Sequence, residues 1–176
     1  LQQPGMDAKG VAPLLGTPGL VAFAAVGAGP IRAMIEMDDI LYAVSGSQFY
    51  SINSAGTGTL LGGGIAPGSN VVGIAESGTQ IGIVDGINRG FYYSVAAGFN
   101  PITDTDCEVS KTITFLNSYF LRDKICTNEW FSSDSDNVIS YDALFFASAE
   151  TNPDDVLAAL SHQQQSWLTG RKGIET

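Results

Sequence analysis

Apolar residues along this chain fall in short runs rich in β-branched and aromatic side chains, most of them closed by Gly, Asn, Asp or Ser. Runs of that length between turn residues read as β-strands rather than helices. Residues 31–37 are followed by 40–44 and 48–52; residues 71–75 by 80–84 and 90–95; residues 112–116 by 119–122 and 129–132; and residues 156–160 by 166–169. The breaks between them carry hairpin signals: Asn53 to Gly56, Ser77-Gly78, Asp85-Gly86, Asn117-Ser118 and Thr127-Asn128. In the first run Ile31, Ala33, Ile35 and Met37 share one face by alternation, and Arg32, Met34 and Glu36 the other, as on a half-buried sheet.

The four groups begin near residues 31, 71, 112 and 156. A recurrence of about forty residues, each unit built of antiparallel strands, is the spacing of propeller blades of the WD40 and kelch type. The expected fold is all-β: a β-propeller of four-stranded antiparallel blades over residues 31–176, preceded by an extended segment over residues 1–30. Counted by these runs, the chain ends after the second strand of the fourth unit. About three and a half blades cannot close a ring, so the expectation is an incomplete part of a longer chain, or a partner that completes it. The third run of each unit carries aromatics: Phe49 and Tyr50, Phe91 to Tyr93, Trp130 and Phe131. Packing between blades is their expected use, since aromatic rings bury the most area per residue.

One local signal conflicts with the repeat. Asn152-Pro153-Asp154-Asp155 has the cap, the proline and the acidic first turn of a helix, which would make residues 156–165 helical. The repeat register makes residues 156–160 a strand, and agreement among several units outweighs one local preference.

Charge narrows the function classes. Eight Lys plus Arg face 18 Asp plus Glu, a formal charge of −10, which argues against an electrostatic grip on a phosphate backbone. The 21 glycines, about 12% of the chain against a usual ~7%, suit a protein of many tight turns. No basic region ahead of an apolar core marks a secretory signal, and Pro13, Pro18 and Pro30 with several glycines break up the most apolar stretch, so no membrane span is expected. Gly27-Ala28-Gly29 lacks the third glycine of a dinucleotide turn, and Gly62 to Gly64 lacks the rest of a phosphate-binding loop. Cys107 and Cys126 are too far apart for a CxxC motif; two free thiols are expected, with a bridge between neighbouring strands left open.

Candidate chemistry is sparse. The single histidine, His162, follows Ser161 in a polar hairpin, with no nucleophile elbow anywhere in the chain and no second His for zinc. Asp134-Ser135-Asp136-Asn137 opens like a calcium loop, but Ile139 stands where such a loop needs Gly and Phe145 where it needs Glu, so it reads as a hairpin tip. Asp104, Asp106, Glu129, Asp134, Asp136 and Asp142 are the carboxylates from which a glycosidase pair would be drawn, and an acidic solvated surface is their simpler reading. No catalytic, cofactor-binding or metal residue is assigned, and no cofactor is expected.

Three stretches together resemble the packaged-DNA stabilisation proteins of short-tailed bacteriophages. They are Thr79-Gln-Ile-Gly-Ile-Val-Asp85-Gly86 with Gly90-Phe-Tyr-Tyr93 after it, Thr112-Ile-Thr-Phe-Leu-Asn-Ser-Tyr-Phe120, and Tyr141-Asp-Ala-Leu144 running into Phe146-Ala-Ser-Ala-Glu150, with Ser166 to Gly170 beyond. The likeness reaches back to Thr17 to Leu20 and Gly29 to Arg32, and departs at Tyr141, Phe145 and Ser118. It implies a structural, non-enzymatic virion protein: a tail-hub subunit, assembled in the host cytoplasm, that closes the portal channel and retains packaged DNA. Its implied partners are the portal and adaptor ring, a tail needle or tip, tailspikes or fibres, and further copies in a homo-oligomeric ring. An acidic surface there would repel duplex DNA and let it slide out at ejection. The alternative is a carbohydrate-binding or glycan-cleaving propeller of a phage tail or bacterial surface protein, with Trp130, Glu129 and Asp134 converging at one mouth of the ring. A third reading is a scaffold propeller for some other partner.

Overall fold

The structure is a computed structural model that describes residue 19, residues 21–150 and residues 154–175. Asn152-Pro153, residues 1–18 and Leu20 lie outside the described residues. Fifteen strands and no helix occur among those described. They form four antiparallel sheets in a propeller arrangement. Blade 1 is β1 (Ile31–Met37), β2 (Ile40–Ser45), β3 (Gln48–Ile52) and β4 (Gly58–Gly63). Blade 2 is β5 (Gly73–Glu76), β6 (Gln80–Val84), β7 (Phe91–Ser94) and β8 (Gly98–Pro101). Blade 3 is β9 (Ile113–Leu116), β10 (Tyr119–Asp123), β11 (Glu129–Asp134) and β12 (Asn137–Ser148). Blade 4 has three strands, β13 (Ala158–His162), β14 (Gln165–Thr169) and β15 (Ile174–Glu175).

Within each blade the strands follow chain order, so every connection is a hairpin. Three of the four first hairpins have two-residue loops with left-handed backbone at both positions: Asp38 and Asp39, Asn117 and Ser118, Gln163 and Gln164. This is the turn whose twist matches that of the flanking strands. The first strands line up along the chain, β1 beside β5, β5 beside β9 and β9 beside β13. Residues from all four line one central cavity of about 510 Å³, among them Met34, Ile74, Ile113 and Leu160.

Each pair of neighbouring blades shares a core. Between blades 1 and 2 lie Met37, Tyr42, Val44, Phe49, Ile65, Ile81, Ile83 and Phe91, with Tyr93 and Phe99 against them. Between blades 2 and 3 lie Val84, Ile113, Phe120 and Val138, and beside them Ile102, Cys107, Phe131 and Tyr141. Between blades 3 and 4 lie Ala149, Val156, Ala159 and Leu168, covered by Trp130. Most aromatics of the third strands are thus packing residues, Tyr50 being the exception: Phe49 of β3 meets the rings of Tyr93 and Phe99 in the next blade at 5.8 and 5.3 Å.

The structure corrects the sequence reading at several points. Residues 158–162 are a strand, as the repeat required, not the helix that the local signal favoured. The fourth unit contains a third strand, β15, which the run pattern did not reveal. In β1 a register shift between Ile31 and Ala33 breaks the alternation. Ile31 is left exposed while Arg32 is buried. A bulge moves side chains to the opposite face, which plain alternation does not anticipate.

Candidate functional site

Two buried arginines tie the blades together. Arg32 of β1 donates from Nε to the Asn70 carbonyl at 2.7 Å, and from Nη1 to the carbonyls of Gly46 at 2.8 Å and Ala66 at 2.5 Å, so blade 1 holds the strap that leads into blade 2. Arg122 of β10 is fully buried. Its Nε donates to Ser110 Oγ at 2.7 Å, Nη1 to Cys107 Sγ at 2.7 Å and Tyr141 OH at 3.3 Å, and Nη2 to the Arg89 carbonyl of blade 2. The guanidinium lies 5.3 Å from the Phe131 ring centre and 5.4 Å from that of Tyr141. No described carboxylate pairs with it; neutral acceptors and aromatic faces replace the lost hydration. Burial pushes the Cys107 thiol above its ordinary value against the opposing pull of Arg122.

Two aspartates at the ends of second strands do matching work. Asp123, the buried last residue of β10, accepts the backbone N–H of Lys111 at 3.0 Å and of Thr112 at 2.6 Å. Asp85, after β6, accepts the N–H groups of Ala66, Ile87 and Asn88 and the Asn88 side-chain amide. Burial raises the Asp85 carboxyl, but these donors outweigh it and hold it below its ordinary value. Each carboxylate grips the connection entering its own blade, an architectural role rather than an acid-base one.

The remaining sequence candidates disperse. Asp104 accepts the N–H of Tyr141 at 2.9 Å and of Asp106 at 3.0 Å. Asp134 accepts the Ser140 hydroxyl at 2.6 Å, and Asp136 occupies the β11–β12 turn with a φ of 51°. No group of His, Cys, Asp or Glu among the described residues is placed to hold a metal ion. His162 stacks edge-on against Trp167, with ring centres 6.3 Å apart. Cys107 is buried, Cys126 exposed, and both thiols are free.

One cavity does gather candidates. Asp106, Glu108, Glu129 and Asp142 line it with Lys124, Trp130, Phe131 and Phe146, about 220 Å³ in all. Lys124 Nζ lies 3.2 Å from Glu129 and 3.6 Å from Glu108. Trp130 and Glu129 therefore share a cavity, whereas Asp134 is not part of its lining. Sequence reasoning missed Lys124 and Glu108, which come from separate loops and carry no local signal. It also missed the burial of Arg32 and Arg122, for which a cation inside an apolar strand is the only trace.

Among solved structures, the computationally designed Ika4 protein superposes with a TM-score of 0.61 at 7% identity, over 89% of this chain and 97% of that one. The designed Ika8 protein gives 0.56 at 9% identity over 82% of this chain and 44% of that one. The N-terminal domain of Nup159 gives 0.57 at 11% identity over 78% and 38%. At such identities the likeness speaks for the fold alone, and this chain spans less than half the length of the latter two. No curated protein matches the sequence. A family model described as the bacteriophage P22 Gp10 β-propeller matches residues 3–176, in accord with the blade order and the three family-like stretches, and the chain belongs to that family of phage stabilisation proteins.

Proposed function

We propose that this chain is the propeller of a tail-hub subunit that closes the portal channel of a phage and retains its packaged DNA. The observation that carries the reading is the family match across residues 3–176. Two features support a role through protein contacts. The side chains with unusual environments, Arg32, Arg122, Asp85 and Asp123, are all spent on joining blades. Both terminal blades also leave exposed apolar faces: Phe23 and Ile31 at blade 1, Ile174 at blade 4. Faces of this kind seek further protein.

In this reading the portal and adaptor ring, a needle or tip, fibres and further copies of the subunit are the partners, and DNA is contained without being gripped. The test is light scattering of the chain with purified portal-adaptor rings from the same source. Co-assembly into a large ring complex is the expected result, and a monomer indifferent to the rings overturns the proposal. A companion titration with duplex DNA at physiological salt should detect no binding; tight association with a steep salt slope would contradict the containment role.

A further inference from the structure

The outer rim of blade 3 has a composition that neither the blade seams nor the hub reading uses. β12 is the outermost strand of its sheet, with β11 on one side and no strand on the other. Its pairing with β11 runs Glu129 to Ser148, Trp130 to Ala147 and Phe131 to Phe146, then jumps to Ser133 and Tyr141. Four residues, 142–145, are thereby bulged out opposite one. The bulge leaves Leu144 79%, Phe145 47% and Phe146 53% exposed. Bulged edges with protruding apolar groups are places where a strand meets something other than its own sheet.

Two adjoining cavities flank this edge, and Trp130 and Phe146 line both. The first is the acidic cavity described above. The second, of about 310 Å³, is lined by Tyr119, Trp130, Ser132, Phe145, Phe146 and Ala147. An apolar, aromatic cleft thus continues into a chamber where four carboxylates face one ammonium. Lys124 lies close enough to offset two of the carboxylates, Glu129 and Glu108. Among the described residues, none offsets the charge of Asp106, and Asp142 accepts the Leu144 N–H alone, at 2.9 Å.

We propose that this rim is a docking groove for an extended peptide segment of a partner protein, one that seats a large apolar side chain against Trp130 and Phe145 and a neighbouring Lys or Arg among Asp106, Glu108 and Asp142. Charge complementarity selects this occupant. A neutral sugar stacks on the same aromatic rings but gains nothing from the excess of negative charge, whereas a guanidinium or ammonium does. The free edge of β12 beside the cleft offers backbone groups to an extended chain, the usual way a peptide adds to a sheet edge. The inference goes beyond the hub reading and does not rest on it.

The test is selection of a displayed random-heptapeptide library on the full chain, followed by titration of an enriched synthetic heptapeptide against Trp fluorescence. Enriched sequences should combine Arg or Lys with Leu, Phe or Trp. Phe145→Ser with Phe146→Ser should weaken binding about tenfold or more, as loss of a central apolar anchor does. The pair Asp106→Asn and Asp142→Asn removes the two exposed charges that Lys124 does not offset and should weaken binding roughly fivefold at low salt while flattening its salt dependence. Near-ultraviolet circular dichroism of each variant checks the fold, and the charge pair decides if the aromatic pair fails to fold. Absence of enrichment, enrichment of acidic or uncharged sequences, or binding untouched by the charge pair overturns the proposal. So does a neutral glycan, bound on an array, whose binding the aromatic pair abolishes.

Discussion

The seam between blades 1 and 2 and the seam between blades 2 and 3 join like elements by unlike forces. The first is a cluster of rings: Tyr42 stacks on Phe49 at 5.8 Å, Phe49 meets Phe99 at 5.3 Å, and Phe91 stacks on Phe99 at 5.3 Å. Such burial is non-directional and scales with area. The second places a guanidinium at its centre, held by four acceptors and set against two aromatic faces. The first seam should tolerate a change of shape that keeps volume. The second should not, because each unmade hydrogen bond strands a buried polar group.

The largest effect expected from this contrast is at Arg122. Arg122→Ala removes the shared donor of Ser110, Cys107, Tyr141 and the Arg89 carbonyl and leaves a cavity; urea unfolding should show a loss of about 4 kcal/mol. Arg122→Lys keeps the charge but not the fork, and should still lose about 3 kcal/mol. Equal stability of the lysine variant and the parent would show that charge, not geometry, closes the seam.

Next come two glycines, one at each seam. A Cβ at Gly62 would stand 2.3 Å from Phe99 Cδ1, against the base of a ring already held on two sides. A Cβ at Gly82 would crowd the methyl ends of Ile113 and Val138, at 2.7 and 2.8 Å, with the Phe120 ring at an ordinary 3.6 Å. Gly62→Ala should therefore cost about 2–3 kcal/mol and Gly82→Ala about 1 kcal/mol, the range expected for overpacking. The reverse order in thermal melts would mean that the Phe99 ring gives way more readily than the methyl groups of Ile113 and Val138.

Phe49→Leu tests the tolerant side and should cost about 1 kcal/mol, as a nearly volume-conserving change does. A loss as large as that of Arg122→Lys would erase the distinction between the seams.

The smallest effect concerns pH. The folded-state pKa of Asp85 is depressed, so the stability it contributes is complete above its unfolded value of 3.8 and is lost as pH falls through the lower folded value. Asp85→Asn should therefore be less stable than the parent near neutrality and should close part of that gap below about pH 4. Parallel stability curves for the two proteins across that range would show that the N–H donors of Ala66, Ile87 and Asn88 do not depend on the charge.

The sequence by itself determined the blades. Short β-rich runs and turn residues such as Asn117-Ser118 act between neighbours in the chain, so strand content, hairpin order and the forty-residue repeat were legible without coordinates. β3 and β6 begin and end where the runs do, and the three family-like stretches pointed to the phage family. The fourth strands were not legible. β4 is Gly58–Gly63, mostly small residues at an outer edge, and the bulge in β12 breaks its period. An edge strand has only one neighbour to satisfy, and its pattern is correspondingly weak. Tertiary structure alone decided that Arg32 and Arg122 are buried, that the carboxylates disperse while Asp106, Glu108, Glu129 and Asp142 meet around Lys124, and that Asp134 stays apart. Those outcomes depend on which loops a neighbouring blade brings within hydrogen-bond distance. Strand periodicity tells which way a side chain points, and packing between sheets decides what it meets.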